Sequence, residues 1–331
     1  MKQYKVGLIG AGGVTELHLE GYKAHPERIQ IEAICDPNET LLNQKAEQYQ
    51  IPKRYTSIEE FIANSEVDIA IVCTPTSIRK QVVFPLLEAG FPLFVEKPFS
   101  DTLVEAQEIT DKAKSLNIPI AVNQNFRLHF PFYLVKELVK NNRIGKVNSM
   151  IFNNFFFRQD QGWRTQCERN AISVMGIHWI DGFRQVLGEE ATAVSSLMTS
   201  SNSIQCVGET DSHVQVEFET GAIASYTQSF SSAFNRTELI VIGETGTLHC
   251  EHGAVHLYEV GNRTAVDSFS NDLSREYATF DGLNQLIDWI ETGKESANSA
   301  NDNLKTVAIL DAAYRSKVEN RRIELHQGVI Q

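Results

Sequence analysis

The chain reads as an α/β protein: a doubly wound parallel sheet at the amino end, then a second α/β domain built on a large, mostly antiparallel open sheet. Three observations predict this. Up to about Asn123, short apolar runs alternate with helical segments, the rhythm of a parallel sheet with right-handed crossovers. The first of these runs ends in a glycine turn, Gly10-Ala11-Gly12-Gly13. From about residue 147 the apolar period changes to two, as in His213-Val-Gln-Val-Glu-Phe, with Glu219-Thr-Gly221 and Gly243-Glu-Thr-Gly246 as hairpin turns.

In chain order, strands are expected over 5–9, 29–35, 67–73, 91–95 and 118–122, with helices near 14–24, 39–50, 77–89 and 101–116 between them. In the second half, strands are expected over 147–157, 193–199, 213–219, 222–230, 237–242, 246–250 and 254–260. Helices near 175–187, 277–292 and 302–318 are expected to cover one face of that sheet. The expected domains are 1–123, built on the parallel sheet, and 124–331, built on the open sheet, the last helix being free to pack back on the first domain. The serine-rich stretch Ser195 to Ser203 has no nucleophile-elbow context and reads as strand and loop.

Composition bounds the function. A length of 331 residues suits two domains, and a net charge of −12 without any lysine and arginine run argues against nucleic-acid or anionic-membrane partners. Five scattered cysteines, an odd number without Cys-x-x-Cys or Cys/His ligand spacing, read as reduced cytoplasmic thiols with no metal site. The strand-like amino terminus lacks a basic segment with a long apolar core, and no apolar stretch approaches membrane-spanning length, so a cytoplasmic protein is expected.

The glycine turn carries the first chemistry. Gly10 permits the tight turn, Gly12 admits a pyrophosphate to the backbone, and the amides of a helix starting near Gly13 and Val14 offer partners for anionic oxygen. Thr15 stands where a third glycine is usual. The second apolar run ends in Asp36, at the offset where a carboxylate accepts hydrogen bonds from ribose hydroxyls, and no arginine follows to accept a 2′-phosphate. NAD is therefore expected, and NADP less so. Without its context, Asp36-Pro37-Asn38 is equally a turn with a helix cap.

Glu96-Lys97-Pro98 follows the apolar run Phe91–Val95 and sets an amine at a strand end, where ligands collect in open parallel sheets. Pro98 restricts Lys97 to extended backbone, and a cis Lys-Pro bond would hold the amine in one direction. Taken alone, Lys97 reads as well as a solvated loop lysine. Thr74-Pro75 forms another strand-end loop, and Asn123, Asn125 and Arg127 follow the last strand of the first sheet.

With these motifs in this order, followed by Gly176-Ile177-His178-Trp179-Ile180-Asp181, Ile144-Gly145-Lys146-Val147 and a closing Ala312-Ala313-Tyr314-Arg315-Ser316 helix, the chain resembles the Gfo/Idh/MocA oxidoreductases over nearly its whole length. The resemblance implies an amino-terminal Rossmann domain, a carboxyl-terminal α/β domain whose open sheet makes dimer contacts, and NAD(P)-dependent oxidation or reduction of sugars, inositols and related small polyols. A homodimer or homotetramer is implied with it. Carried over by residue, Lys97 and His178 become the catalytic pair. Gly10, Gly12, Gly13, Val14, Asp36, Thr74, Pro75, Glu96, Lys97 and Asn125 become cofactor contacts. Arg127, Trp163, Arg164, His178 and Asp181 become substrate contacts.

The pairing makes chemical sense, because moving a hydride from a carbinol carbon needs a base for the hydroxyl proton. A free lysine titrates near about 10.4, so burial or neighbouring cations, with Arg164 or Arg127 as candidates, would have to bring Lys97 toward neutrality. Asp181, three residues after His178, is placed to orient the ring or to pair with Arg184. Trp163-Arg164 offers an aromatic face and a guanidinium fork to a sugar. Phe155-Phe156-Phe157 reads as sheet core and subunit contact, and His18 and His129 as helix or loop polar residues or ligands.

Two departures from the family pattern stand out. Val174 occupies the place of an aspartate four residues before the histidine, and Arg79 replaces a histidine after the Thr-Pro loop. The first keeps open a non-catalytic NAD(H)-binding regulator of the same fold, and the family offers a third reading, a glycosidase that uses NAD transiently.

Overall fold

The computed structural model describes residues 2–270, 275–326 and 328. In chain order the elements are β1 (Tyr4–Ile9), α1 (Gly13–Lys23), β2 (Ile29–Cys35), α2 (Glu39–Gln48), β3 (Lys53–Tyr55), α3 (Ile58–Asn64), β4 (Ile69–Val72), α4 (Arg79–Glu88), β5 (Leu93–Glu96), α5 (Leu103–Leu116) and β6 (Ile120–Asn123). Then follow α6 (Phe132–Lys140), β7 (Val147–Phe157), α7 (Ile177–Leu187), β8 (Ala191–Thr199), β9 (Asp211–Phe218), β10 (Ile223–Ser229), β11 (Ser231–Gly243), β12 (Gly246–Glu251), β13 (Ala254–Glu259) and β14 (Asp267–Ser270). The chain closes with α8 (Arg275–Thr292), α9 (Ala300–Glu319) and β15 (Ile323–Glu324).

The first sheet has the order β3-β2-β1-β4-β5-β6, with every pair parallel. Strands β4, β5 and β6 are buried at each position, which is why they read as unbroken apolar runs. Strand order reverses between β1 and β4, so the loops after these two strands flank the crevice where ligands bind in such sheets. Local chemistry sets the helix boundaries. The Asn38 side chain accepts the Leu41 N–H to start α2, Thr102 accepts that of Glu105 to start α5, and Asn117 ends α5 in the left-handed region.

The second sheet has nine strands in the order β14-β13-β12-β11-β7-β10-β9-β8-β15. It is antiparallel except for β7 and β10. Along β9, Ser212, Val214, Val216 and Phe218 are buried while Asp211, His213, Gln215 and Glu217 face outward, the alternation of a half-buried sheet. Both expected hairpin turns are present, joining β9 to β10 and β11 to β12.

An aromatic stack ties α7 to this sheet. Trp179 lies over Phe152 of β7 at 4.0 Å and beside Phe132 of α6 at 5.3 Å, while Phe152 also meets Tyr226 of β10 at 5.9 Å. Gly182 makes the helix contact possible, since a Cβ there would stand 2.3 Å from the Phe132 ring. Of Phe155-Phe156-Phe157, Phe156 packs on Phe230 at 5.2 Å, Phe155 meets Phe234 at 6.1 Å, and Phe157 is exposed.

The chain divides into two compact units, Met1–Asn125 with Ser274–Leu304, and Phe126–Leu273 with Lys305–Gln331. This differs from the sequence-based boundaries in one large respect: α8, expected on the second sheet, belongs to the first unit. Its Phe280, Leu283, Leu286 and Ile287 are buried in one cluster with Leu8, Leu19, Tyr22, Ile34 and Phe94. Charge and stacking fix it there. Arg28 makes two hydrogen bonds to Glu291, at 2.8 and 3.0 Å, and the His25 ring stacks on Phe280 at 3.5 Å.

The structure also adds β3, α3, α6, β14 and β15 to the expected elements. Among the described residues no helix is long and apolar enough to cross a membrane, and all five cysteines are free thiols. Leu286 is fully buried in the first-unit core, so Leu286→Ala is expected to cost about 2–5 kcal/mol of stability, read from urea denaturation. A change below about 1 kcal/mol would place α8 elsewhere.

Candidate active site

In the first unit the glycine turn follows β1 and leads into α1. Gly10 has φ +108°, its N–H donates to the Cys35 carbonyl at 2.8 Å, and a Cβ on it would stand 3.0 Å from the Cys73 carbonyl oxygen. Only glycine suits both the dihedral and the space. Among the described residues, a Cβ at Gly12 or Gly13 would meet nothing within 4 Å and no side chain caps the amino end of α1, where Val14 is half-buried. Open space before uncapped helix amides suits a pyrophosphate. Thr15, in the place of the third glycine, is buried and donates its hydroxyl to the Gly10 carbonyl at 2.7 Å, bracing the turn.

Asp36 closes the other side of this cradle. Its Oδ2 accepts the Ala11 N–H at 2.7 Å and its Oδ1 the Asn38 N–H at 2.8 Å, which leaves each oxygen a further lone pair for a ribose hydroxyl. After β4, Pro75 precedes a 3₁₀ turn, Thr76–Ile78, and the buried Thr74 Oγ1 has no hydrogen-bond partner among the described residues. Beyond β6, Asn123 Oδ1 and both polar side-chain atoms of Gln124 are buried in the same condition, and Asn125 is buried. Such orphaned atoms on a ligand-binding rim are what a bound polar group would satisfy. These residues fit a dinucleotide.

Lys97 follows β5, half-buried, and its bond to Pro98 is cis. The preceding Glu96 is buried. Its Oε1 lies 2.7 Å from His18 Nε2 and accepts from Asn123 Nδ2 at 2.6 Å, while Oε2 accepts the Lys97 N–H at 3.1 Å. His18 in turn meets the Tyr22 hydroxyl at 2.7 Å through Nδ1. Burial disfavours charge on both members of the pair, but Cys73 and the Glu96 carboxylate outweigh it at His18 and lift it to about 10. At Glu96 burial is outweighed by His18, Lys97 and Asn123, which lower the carboxyl to about 2. The contact with Glu96 and the raised value together favour the protonated ring at His18.

In the second unit, His178 is the second residue of α7, buried, with its ring 4.0 Å from that of Phe126. A single π turn, Ile172–Gly176, precedes α7 and carries Val174, half-buried. Such turns recur at functional sites. The Glu209 carboxylate holds the start of this segment by accepting the N–H groups of Asn170 at 3.0 Å and Ile172 at 2.9 Å, together with the Tyr314 hydroxyl at 2.7 Å. Burial nevertheless raises the Glu209 pKa.

Asp181 pairs principally with Arg127, which donates through Nε and Nη2 at 2.6 Å each. Thr306 adds a hydroxyl at 2.6 Å, and Arg184 stands at 3.6 Å. The expected pairing with Arg184 is thus the weaker contact, and the charge of Arg127 is matched by Asp181. Arg184 is mainly engaged by Glu190, at 2.8 and 3.0 Å. Trp163 is 50% exposed on a 3₁₀ turn, Gly162–Gln166, with the Arg164 guanidinium 5.2 Å from its ring centroid. His129 Nδ1 lies 2.7 Å from the Phe130 carbonyl oxygen.

Three residues make contacts that the sequence reading did not assign: His18 with the Glu96 carboxylate, Glu209 with the amides of Asn170 and Ile172, and Arg79 with backbone carbonyls that include that of Glu96. Glu238, His249 and Glu251 bring three possible metal-ligand atoms within 4.8 Å of one another. Arg236 and His249 already hold the Glu238 Oε1, at 2.7 and 2.9 Å, and Asn153 donates to Oε2 at 3.1 Å.

A six-stranded parallel sheet of this order, with a glycine cradle, an uncapped helix start and an acidic residue ending β2, defines a dinucleotide-binding protein. Sequence comparison narrows the class. Residues 4–124 match the model of the oxidoreductase family with an NAD-binding Rossmann fold, and residues 132–249 match the GFO/IDH/MocA C-terminal domain. The chain belongs to the Gfo/Idh/MocA family of NAD-binding oxidoreductases. It is 25% identical to D-apiose dehydrogenase of Rhizobium rhizogenes, over 98% of both chains. It is 24% identical to myo-inositol 2-dehydrogenase of Thermotoga maritima, over 98% of this chain and 99% of that one. An oxidoreductase from Agrobacterium radiobacter, solved with NAD+, L-tartaric acid and magnesium, shares the fold with a TM-score of 0.89 at 24% identity, over 98% of each chain.

The elevated His18 contributes stability that is complete below its ordinary value of 6.5 and is lost as pH rises through about 10. The depressed Glu96 contributes above 4.5 and is lost as pH falls through about 2. Thermal melting is expected to fall between about pH 7 and about pH 10, and to fall less in His18→Gln. Equal falls in the two proteins would show that His18 is uncharged at neutral pH.

Proposed function

We propose that this oxidoreductase is an NAD-dependent dehydrogenase acting on a secondary hydroxyl, or the corresponding ketone, of a sugar, inositol or related small polyol. The observation that carries the reading is Lys97 itself: an amine at the carboxyl end of β5, one strand beyond the switch-point crevice, on a loop whose buried carboxylate is already neutralised. The names of the dehydrogenases matched above agree with it.

When bound, NAD takes up or returns the hydride at its nicotinamide. The residues of this chain do the rest. Gly12, Gly13 and the first amides of α1 hold the pyrophosphate, and Asp36 holds the adenosine ribose. Thr74, Pro75, Asn125 and the Glu96-Lys97 loop line the nicotinamide side. In the oxidative direction the hydroxyl proton passes to the Lys97 amine or the His178 imidazole as the C–H electron pair leaves. In reduction the same groups return the proton. Trp163 and Arg164 contact the polyol, the first through its exposed ring and the second through its fork. Arg127 and Asp181, engaged with each other, hold α7 and its histidine in place. The protein works in the cytoplasm as a homodimer or homotetramer.

Val174 puts an apolar group where a carboxylate would tune these residues, and it favours a second reading, an NAD(H)-binding protein with no net turnover. The deciding measurement is NADH formation or consumption across sugars, inositols and their keto and acid forms. Turnover is expected in the wild type, with Lys97→Met lowering kcat by about 10²–10⁴ and His178→Ala by less, while NADH still binds. Tight NADH binding without turnover on any compound would favour the regulator, and sugar release from a glycoside without net NADH the redox-neutral glycosidase.

Cofactor choice has its own test. Asp36→Ser is expected to weaken NAD and to strengthen NADP relative to it by about tenfold or more, because a carboxylate no longer faces the 2′-phosphate. An unchanged NAD/NADP ratio would remove Asp36 from the adenosine site.

A further inference from the structure

Arg79, the first residue of α4, is 2% exposed, and its guanidinium is spent on three backbone carbonyls rather than on a carboxylate. Nη1 donates to the carbonyl oxygen of Glu96 and, at 3.1 Å, to that of Pro98. Nη2 donates to the carbonyl oxygen of Thr74. Glu96 and Pro98 are the residues on either side of Lys97. One nitrogen therefore grips the backbone before and after the lysine, and its neighbour grips the loop that follows β4.

We propose that Arg79 is the positioning residue of the Lys97 amine, fixing the Glu96-Lys97-Pro98 backbone against the Thr74 loop so that the amine keeps one direction. An apolar side chain of similar volume would fill the space at less desolvation cost, since burial lowers the Arg79 pKa to about 10 and its Nε has no hydrogen-bond partner among the described residues. What an apolar residue cannot supply is direction. The planar fork spans acceptors on two loops at once, which a lysine ammonium, a single donor centre on a flexible stem, does not reproduce. The arrangement complements the Glu96 network. His18 and Asn123 hold the side chain of the residue before Lys97, and Arg79 holds the peptides around it. Arg79 lies behind the loop and acts through Lys97.

The proposal rests on the reading of Lys97 as a proton-transfer group, so its test examines the amine directly as well as turnover. Full-length wild type, Arg79→Met and Arg79→Lys are titrated with NADH by fluorescence to count binding-competent sites. Two quantities are then measured per competent site: kcat and KM on the best substrate of the panel, and the pH profile of Lys97 acylation by an amine-selective reagent, read by peptide mass spectrometry with the exposed Lys140 as internal reference.

The expected result for Arg79→Met is a kcat lower by about 100-fold with KM and NADH affinity changed far less, because an ångström-scale displacement of a reacting group has that order of effect. The Lys97 acylation profile is expected to shift while that of Lys140 does not. Arg79→Lys is expected to behave like Arg79→Met. An unchanged Lys97 profile in either variant overturns the proposal, as does wild-type kcat per competent site in Arg79→Lys. Should Arg79→Met fail to fold, Arg79→Lys decides by the same readouts. A wild type that turns over no panel compound would defeat the dehydrogenase reading alone, because the acylation profiles still decide whether Arg79 directs the amine.

Discussion

The carboxylate of Glu96 is the constraint on which the first unit's site depends. It is buried at the end of β5, where an unpaired carboxylate would cost several kcal/mol, and it is met by the imidazole of His18 from α1 and an amide from the end of β6. Three segments meet on this one group: the helix that opens from the glycine turn, the strand that delivers Lys97, and the strand that leads to Asn125. A shift of any of them takes a partner from the buried carboxylate. The cofactor cradle and the amine are thus registered by a single electrostatic contact, with the β-sheet ladders as its frame.

The second unit uses the same economy around His178. Trp179 is wedged among Phe152, Phe132 and Phe126, so the helix surface is fixed by aromatic packing. Asp181, one turn further, is locked by Arg127 and Thr306, and Arg184 by Glu190, to which Lys305 also donates at 2.7 Å. Glu209 satisfies the amides at the start of the preceding π turn. The chain on either side of His178 is therefore held by a buried, paired carboxylate, Glu209 before it and Asp181 after it.

Much of this was legible in the chain because the signals are local. Continuous apolar runs marked β4 to β6, strict alternation marked β9, and Gly10, Gly12 and Asp36 stood at spacings that the cradle itself imposes. The rest depended on partners far apart in sequence. Nothing near His18 announces Glu96, and Asp181 looked equally suited to His178 or Arg184 until Arg127 was seen to claim it. The apolar residues of α8 require burial but do not say against which sheet, and that choice is made by Arg28, His25 and Tyr22. Strand β3 and helix α3 were too short and polar to register. Helix α6 did carry a signal, Phe132, Val135 and Leu138 on one face, which the change of period just beyond it obscured.

The placement of α8 has a consequence for biosynthesis. The helix that seals the first sheet's core against Leu8, Ile34 and Phe94 is encoded after all the strands from β7 to β14. Domains commonly complete themselves in order of emergence from the ribosome. Here the amino-terminal unit must wait, its apolar surface unsealed, while strands β7 to β14 are translated. The nascent chain thus passes through a stage in which the later-made sheet has all but its final strand while the earlier-made one is still open, and the protein's need for chaperone shielding is concentrated in that interval.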